Sequence, residues 1–174
     1  RLNSPDLSLS SWARLFEMLA EAKPKMIFID KIFGLLLSQN DTEDFVARVQ
    51  KTGVPVVAGA FISPVDLPLR APLPVDSKEF RIRTYTDIDA LDPRNLAWLP
   101  VEIGYPYGPS DKVLKAFQRI GLLDYQGNGY VKLYHRVDQE RVLPHWSLHS
   151  AQDLKINSDG PIVNGQSITL DRAG

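Results

Sequence analysis

Two nearly unbroken apolar runs, each entered from an amphipathic helix, constrain this chain more than any other feature. "SSWARLFEMLAEAKP" places Trp12, Leu15, Phe16, Leu19 and Ala20 at the i, i+3, i+4, i+7, i+8 spacing of a helical stripe. Ser10 or Ser11 is placed to cap its first turn, and Pro24 to stop it. The run "MIFID" follows at once. "NDTEDFVARVQKTG" repeats the scheme, with Asp41 as N-cap and Glu43 and Asp44 in the first turn, where the helix dipole favours anions. Phe45, Val46 and Val49 form its stripe, and Gly53 suits the left-handed position after the helix. "VPVVAGAFI" is then a second buried strand, with Pro55 at its start, where a missing ladder bond is tolerated. Continuous apolar strands that alternate with helices predict an α/β fold with a mainly parallel sheet covered on both faces.

The stretch from Ile62 to Pro109 changes character. Eight of the thirteen prolines fall between Pro64 and Pro109, which favours extended loops and an irregular insertion over 62–109. Within it, "FRIRTY" reads as an edge strand with Arg81 and Arg83 on one side, and "YPYGP" as a rigid loop or a pocket wall. "PSDKVLKAFQRIG" predicts a helix capped by Ser110, striped by Val113, Leu114, Phe117 and Ile120, and closed by Gly121. "LLDYQGNGYVKLYHRV" reads as two extended segments around the Gly127-Asn128-Gly129 turn. "WSLHSAQDL" predicts a short helix, and Asn164-Gly165 between β-branched residues a C-terminal β-hairpin.

At 174 residues, 44% hydrophobic and 24% charged, the chain has the size and balance of one globular domain, 1–174. A net charge of −1 and a pI near 6.3 argue against nucleic acid as a partner. With no cysteine, thiolate metal sites, disulfides and cysteine nucleophiles are excluded. No apolar run reaches the roughly 20 residues a membrane-spanning helix needs. Because the chain starts at Arg1 rather than methionine, it is expected to be an excised piece of a longer protein.

The chemistry-bearing residues are few. Asp30 closes a buried strand, where α/β enzymes keep nucleophiles and metal ligands. A phosphoryl-transfer or magnesium site needs a second carboxylate or a phosphate-binding loop beside it, and "DKIFGLLLSQND" supplies neither. A structural strand-end carboxylate is the competing reading. His145 and His149 share one helix face, as zinc ligands do, but no glutamate lies between them and Pro144 leaves His145 at a cap. "YVKLYHR" alternates, placing Val131, Leu133 and His135 on one face and Tyr130, Lys132, Tyr134 and Arg136 on the other. The second face is either the solvated side of a strand or a surface for an anion or a small aromatic ligand. There is no G-x-S-x-G elbow, G-x-G-x-x-G loop or Walker loop. No cofactor or metal is expected, and the pattern favours a binding domain over an enzyme.

In "SSWARLFEMLAEAKPKMIFIDKIFG", "NDTEDFVARVQKTGVPVVAGAF", "AFQRIGLLDYQGNGYVKLYHRV", "LPHWSLHSA" and "IVNGQSITLDRAG", the chain resembles the second subtype of the CHASE (cyclases/histidine kinases associated sensory extracellular) domain. The resemblance covers most of the chain outside Ile62 to Pro109. It departs at Tyr125 to Gly129, where that family carries acidic residues before its glycine. It implies a ligand-sensing module outside the bacterial cytoplasmic membrane, without enzymatic activity of its own. Transmembrane helices would join it to a nucleotide cyclase or histidine kinase output domain of the same chain, and a homodimer is compatible with that arrangement. Its partner would be a small-molecule signal. The expected pocket lies at the carboxyl ends of the parallel strands, near Asp30, Lys31 and Phe33, with Tyr130, His135 and Arg136 as further ligand-binding residues. The rival reading is a cytoplasmic α/β hydrolase or phosphotransferase that uses Asp30.

Overall fold

The computed structural model describes residues 7–33, 39–68, 70, 72–81, 83, 104–123, 134–136, 142–150, 154–157 and 160–167. Helix α1 spans Leu9–Glu21, and Ser8, rather than Ser10 or Ser11, caps it: its Oγ accepts from the Ser11 N–H at 3.1 Å. The extended ψ of 158° at Ser8 is what frees that oxygen to fold back on the first turn. Leu9, Ala13 and Phe16 form the buried side of α1. Strand β1 (Ile27–Ile29) follows, then α2 (Gln39–Lys51). Asp41 lies inside the first turn of α2 and is not its N-cap, because the helix starts at Gln39, three residues earlier than expected. Gly53, at φ +68°, takes the left-handed position beyond its end.

Strand β2 (Val56–Ser63) is the centre of the sheet. Val57 pairs with Phe28 of β1 and with Arg119 of β4 (Arg119–Leu122), so β1 and β4 must flank β2 on opposite sides. Both pairings are parallel, while β3 (Tyr105–Tyr107) pairs antiparallel with Phe61 to Ser63 at the far end of β2. The fold is thus α/β with a mainly parallel sheet.

Register decides what each face of the sheet carries. Ile27, Val56, Ala58, Ala60, Ile120 and Leu122 share one face, and α1, α2 and α4 (Asp111–Leu114) cover it. Its centre is an aromatic group: Phe33 lies 5.6 Å from Phe45 and 5.1 Å from Phe117, and Phe45 lies 6.2 Å from Phe16. Burying each such ring contributes about 1.5–3 kcal/mol, with about 0.5–1.5 kcal/mol more from each well-oriented pair. The opposite face holds Phe28, Val57, Gly59 and Gly121. It is covered by a 3-10 helix, Trp146–Ser150, whose Trp146 ring meets Phe28 edge-on at 5.5 Å.

The two glycines on that face are register partners. A Cβ on Gly121 would stand 2.3 Å from the Trp146 Cα, so the 3-10 helix can approach only because position 121 has no side chain.

Three expected elements are corrected. The helix expected from Ser110 to Gly121 ends at Leu114, and Arg119–Leu122 is β4 instead. "FRIRTY" is not an edge strand: Lys78–Arg81 is a helical turn, α3. "YPYGP" is not a loop through Tyr107, because Tyr105–Tyr107 is β3. Among its described residues, the stretch 62–109 thus carries α3 and β3. Beyond the main sheet, β5 (Tyr134–Arg136) pairs antiparallel with β6 (Val142–Pro144). The C-terminal hairpin forms as expected between β8 (Gly160–Val163) and β9 (Gln166–Ser167), with Asn164 at φ 50° and Gly165 at φ 79°. Strand β7 (Leu154–Asn157) joins its other edge.

Candidate functional site

At the carboxyl edge of the parallel sheet, β1 ends and the chain turns through Asp30, Lys31, Ile32 and Phe33. Asp30 is exposed and Lys31 half-buried. Phe33, expected beside them on a ligand surface, points the other way: its ring is 4% exposed, held by Trp12, Phe45 and Phe117. Its main chain still serves the edge, since the Ser110 N–H donates to the Phe33 carbonyl at 3.2 Å. That bond ties the β1 loop to the segment between β3 and α4. An apolar anchor at Phe33 and a main-chain tie thus hold the loop that presents Asp30 and Lys31.

A second feature of this edge escaped the sequence reading. The buried Tyr107 hydroxyl donates to Asp66 Oδ1 at 2.6 Å and accepts from the Leu67 N–H at 2.7 Å. Burial, reinforced by the hydrogen bond to Asp66, holds the Tyr107 phenol above its ordinary pKa and so keeps it protonated. Ser63 Oγ accepts from the Val65 N–H and donates to the Val65 carbonyl, closing the turn that carries Asp66. The signal for Tyr107 was the spacing in "YPY". Tyr105 and Tyr107 lie two apart on one strand face, yet Tyr105 is 50% exposed and Tyr107 2%.

The other expected ligand residues lie elsewhere or outside the described residues. Tyr130 and the turn at Gly127 to Gly129 fall outside them. His135 is buried on β5 opposite Leu143, as its place beside Val131 and Leu133 implied. Arg136 pairs with Val142 at the end of β5.

The histidines 145 and 149 each commit one ring nitrogen to the fold. His145 caps the 3-10 helix, its Nδ1 lying 2.7 Å from Ser147 Oγ. His149 is buried, and its Nε2 meets the Ile120 carbonyl at 2.9 Å, so that nitrogen is committed to the edge of β4. Burial, opposed in part by the bond to Ile120, lowers the His149 pKa from 6.5 to about 4. The ring is therefore neutral at pH 7 and donates through Nε2. Among the described residues, no group of three or more histidine or acidic side chains could hold a metal ion.

A shallow open cleft of about 250 Å³ lies at the opposite, amino edge of the sheet, lined among others by Gln50, Gly53, Arg83, Lys115 and Gln118. Two of its polar side chains hold the fold together. Arg83 donates through Nε to the Phe117 carbonyl and through Nη1 to the Glu79 carboxylate, and Gln50 donates to the Lys115 carbonyl. Arg83 and Gln50 thus stitch the cleft with partners of their own, on the edge where α/β proteins do not place their sites.

Among the described residues, no helix is long and apolar enough to cross a membrane. No protein-family model matches this chain, and neither a curated protein nor a solved structure shows significant similarity to it.

Proposed function

We propose that the chain is a ligand-sensing domain of the CHASE type, placed outside a bacterial cytoplasmic membrane. It binds a small-molecule signal at the carboxyl edge of its parallel sheet and passes a conformational bias to an output domain of the same protein. The observation that carries this reading is the anchored loop after β1. Exposed Asp30 and half-buried Lys31 stand at the strand ends on a loop fixed by the Phe33 ring inside and by the Ser110 bond outside. A charged pair held on a rigid edge suits recognition of a small polar ligand. A ligand biases the parent protein only by preferring one of two arrangements, and such couplings are typically about 1–3 kcal/mol.

The test is a thermal-shift and calorimetric screen of small polar metabolites against the wild-type chain, repeated with Asp30→Asn and Lys31→Ala. A hit whose binding both substitutions abolish, with the unliganded melting temperature unchanged, supports the reading. Magnesium-dependent turnover of a phosphoester panel that Asp30→Asn eliminates would replace it with the phosphotransferase alternative. The parent gene offers a second check, because the reading requires membrane-spanning helices and a cyclase or kinase module in the same protein.

A further inference from the structure

Helix α1 carries more apolar surface than its own core uses. Leu9, Ala13 and Phe16 are buried, and Trp12 packs half-buried beside them. A second stripe, Leu15, Met18, Leu19 and Ala22, runs along the helix at i, i+3, i+4, i+7 spacing. Met18 is 58% and Leu19 40% exposed, with Ala22 also exposed and Leu15 half-buried. Leu7, just before the N-cap, is 50% exposed. Of the five exposed large hydrophobic side chains among the described residues, two (Met18 and Leu19) lie on this helix and a third, Leu7, immediately precedes its N-cap. Single exposed apolar residues need no explanation, but a row of them at helix-packing spacing marks an interaction surface.

The charges beside the stripe indicate its occupant. Arg14 and Glu21, both exposed, lie seven residues and therefore two turns apart, one above the other on the polar margin. Neither makes an ion pair among the described residues, whereas Glu17 between them is already taken by Arg48 through two 2.8 Å bonds. In a parallel two-fold pair, Arg14 would face Arg14 and Glu21 would face Glu21. In an antiparallel pair each Arg14 faces the other copy's Glu21, and the interaction forms twice. The margin is self-complementary only in the antiparallel sense.

We propose that a second copy of this chain docks on this stripe, α1 against α1, antiparallel about a two-fold axis beside Met18. Met18 then meets its own counterpart at the centre. Leu15 of each copy meets the Leu19 and Ala22 end of the other, and the Arg14–Glu21 pairs close both rims. This interface lies on α1, not at the Asp30 loop, and does not rest on the sensing reading.

Sedimentation equilibrium of the chain over a concentration series tests it. The expected result is a monomer–dimer equilibrium that Met18→Lys weakens about ten-fold or more, as for a central apolar anchor. The melting temperature of the monomer should stay unchanged, because the replaced side chain is exposed. Arg14→Glu and Glu21→Arg should each weaken the dimer, and the two together should restore it, since the swap rebuilds both pairs with their signs exchanged. A chain that is monomeric at every concentration overturns the proposal, including one that binds anionic phosphatidylglycerol vesicles instead. A dimer that Met18→Lys leaves intact, or one the charge swap does not restore, overturns it equally.

Discussion

The two faces of the parallel sheet are closed by opposite means. On the helical face, four phenylalanines from α1, the β1 loop, α2 and the segment after α4 interlock, and large side chains fill the space between layers. On the other face, side chains are removed. Gly59 and Gly121 stand side by side, and the 3-10 helix comes down almost onto the sheet backbone. One polar contact, from His149 to the Ile120 carbonyl, then pins that helix to the edge of β4. The comparison teaches that a sheet can be sealed by volume or by proximity. The two solutions fail differently: the first through cavities, the second through overcrowding and protonation.

The largest expected effect breaks the volume-sealed face. Phe45→Ala opens a cavity among Phe16, Phe33 and Phe117 and should cost about 3–5 kcal/mol in denaturant unfolding. On the other face a gain of one methyl group should do comparable harm. Gly121→Ala puts a Cβ against the main chain of Trp146, which cannot rotate away, and about 2–3 kcal/mol should be lost.

The polar pin gives a smaller, pH-dependent effect. Because the His149 pKa is lowered to about 4 in the folded chain, the unfolded chain takes up the proton first as pH falls. Its contribution is complete above the unfolded value of 6.5 and is lost progressively toward the folded one. It should amount to about 2 kcal/mol between pH 8 and pH 5. His149→Gln keeps a donor for Ile120 and should flatten the pH dependence of stability by that difference, measured against wild type. The smallest effect sharpens the contrast within the glycine face. Gly59→Ala first meets the Leu123 side chain rather than main chain, and that side chain can turn aside, so about 1 kcal/mol is expected. Equal losses at positions 59 and 121 would show that backbone proximity is not what closes this face.

The volume-sealed face was legible in the sequence, and the proximity-sealed face was not. Phe16, Phe45 and Val49 sit at helical spacings, and β1 and β2 are continuous apolar runs, so the local pattern and the tertiary role agree. Around Ile120 they disagree. Val113, Leu114, Phe117 and Ile120 match a helix stripe, but the helix stops at Leu114, and the Gln118 N–H donates to the Val56 carbonyl as the chain enters the sheet. Gly121, which read as a helix stop, is a strand residue whose missing side chain makes room for Trp146. Sheet pairing overrode local propensity there, and nothing within ten residues announces the partner. The candidate site was legible in the same uneven way. The place of Asp30 just after a strand could be read from the apolar run that ends there, while the inward turn of the Phe33 ring could not, because a loop aromatic does not reveal which way its ring turns. Tyr107 and Asp66 lie 41 residues apart, and no local pattern links them.

The central position of β2 also dictates the order in which the chain can assemble. Its pairing with β1 spans only the intervening α2, whereas its pairing with β4 joins Val57 to Arg119, closing a loop of about sixty residues. The β1–α2–β2 unit can therefore form early from nearby contacts. The second ladder must wait for a slow, entropically costly encounter. Refolding kinetics should accordingly be governed by the arrival of β4, with substitutions at Ile120 slowing folding more than substitutions of equal cost in β1.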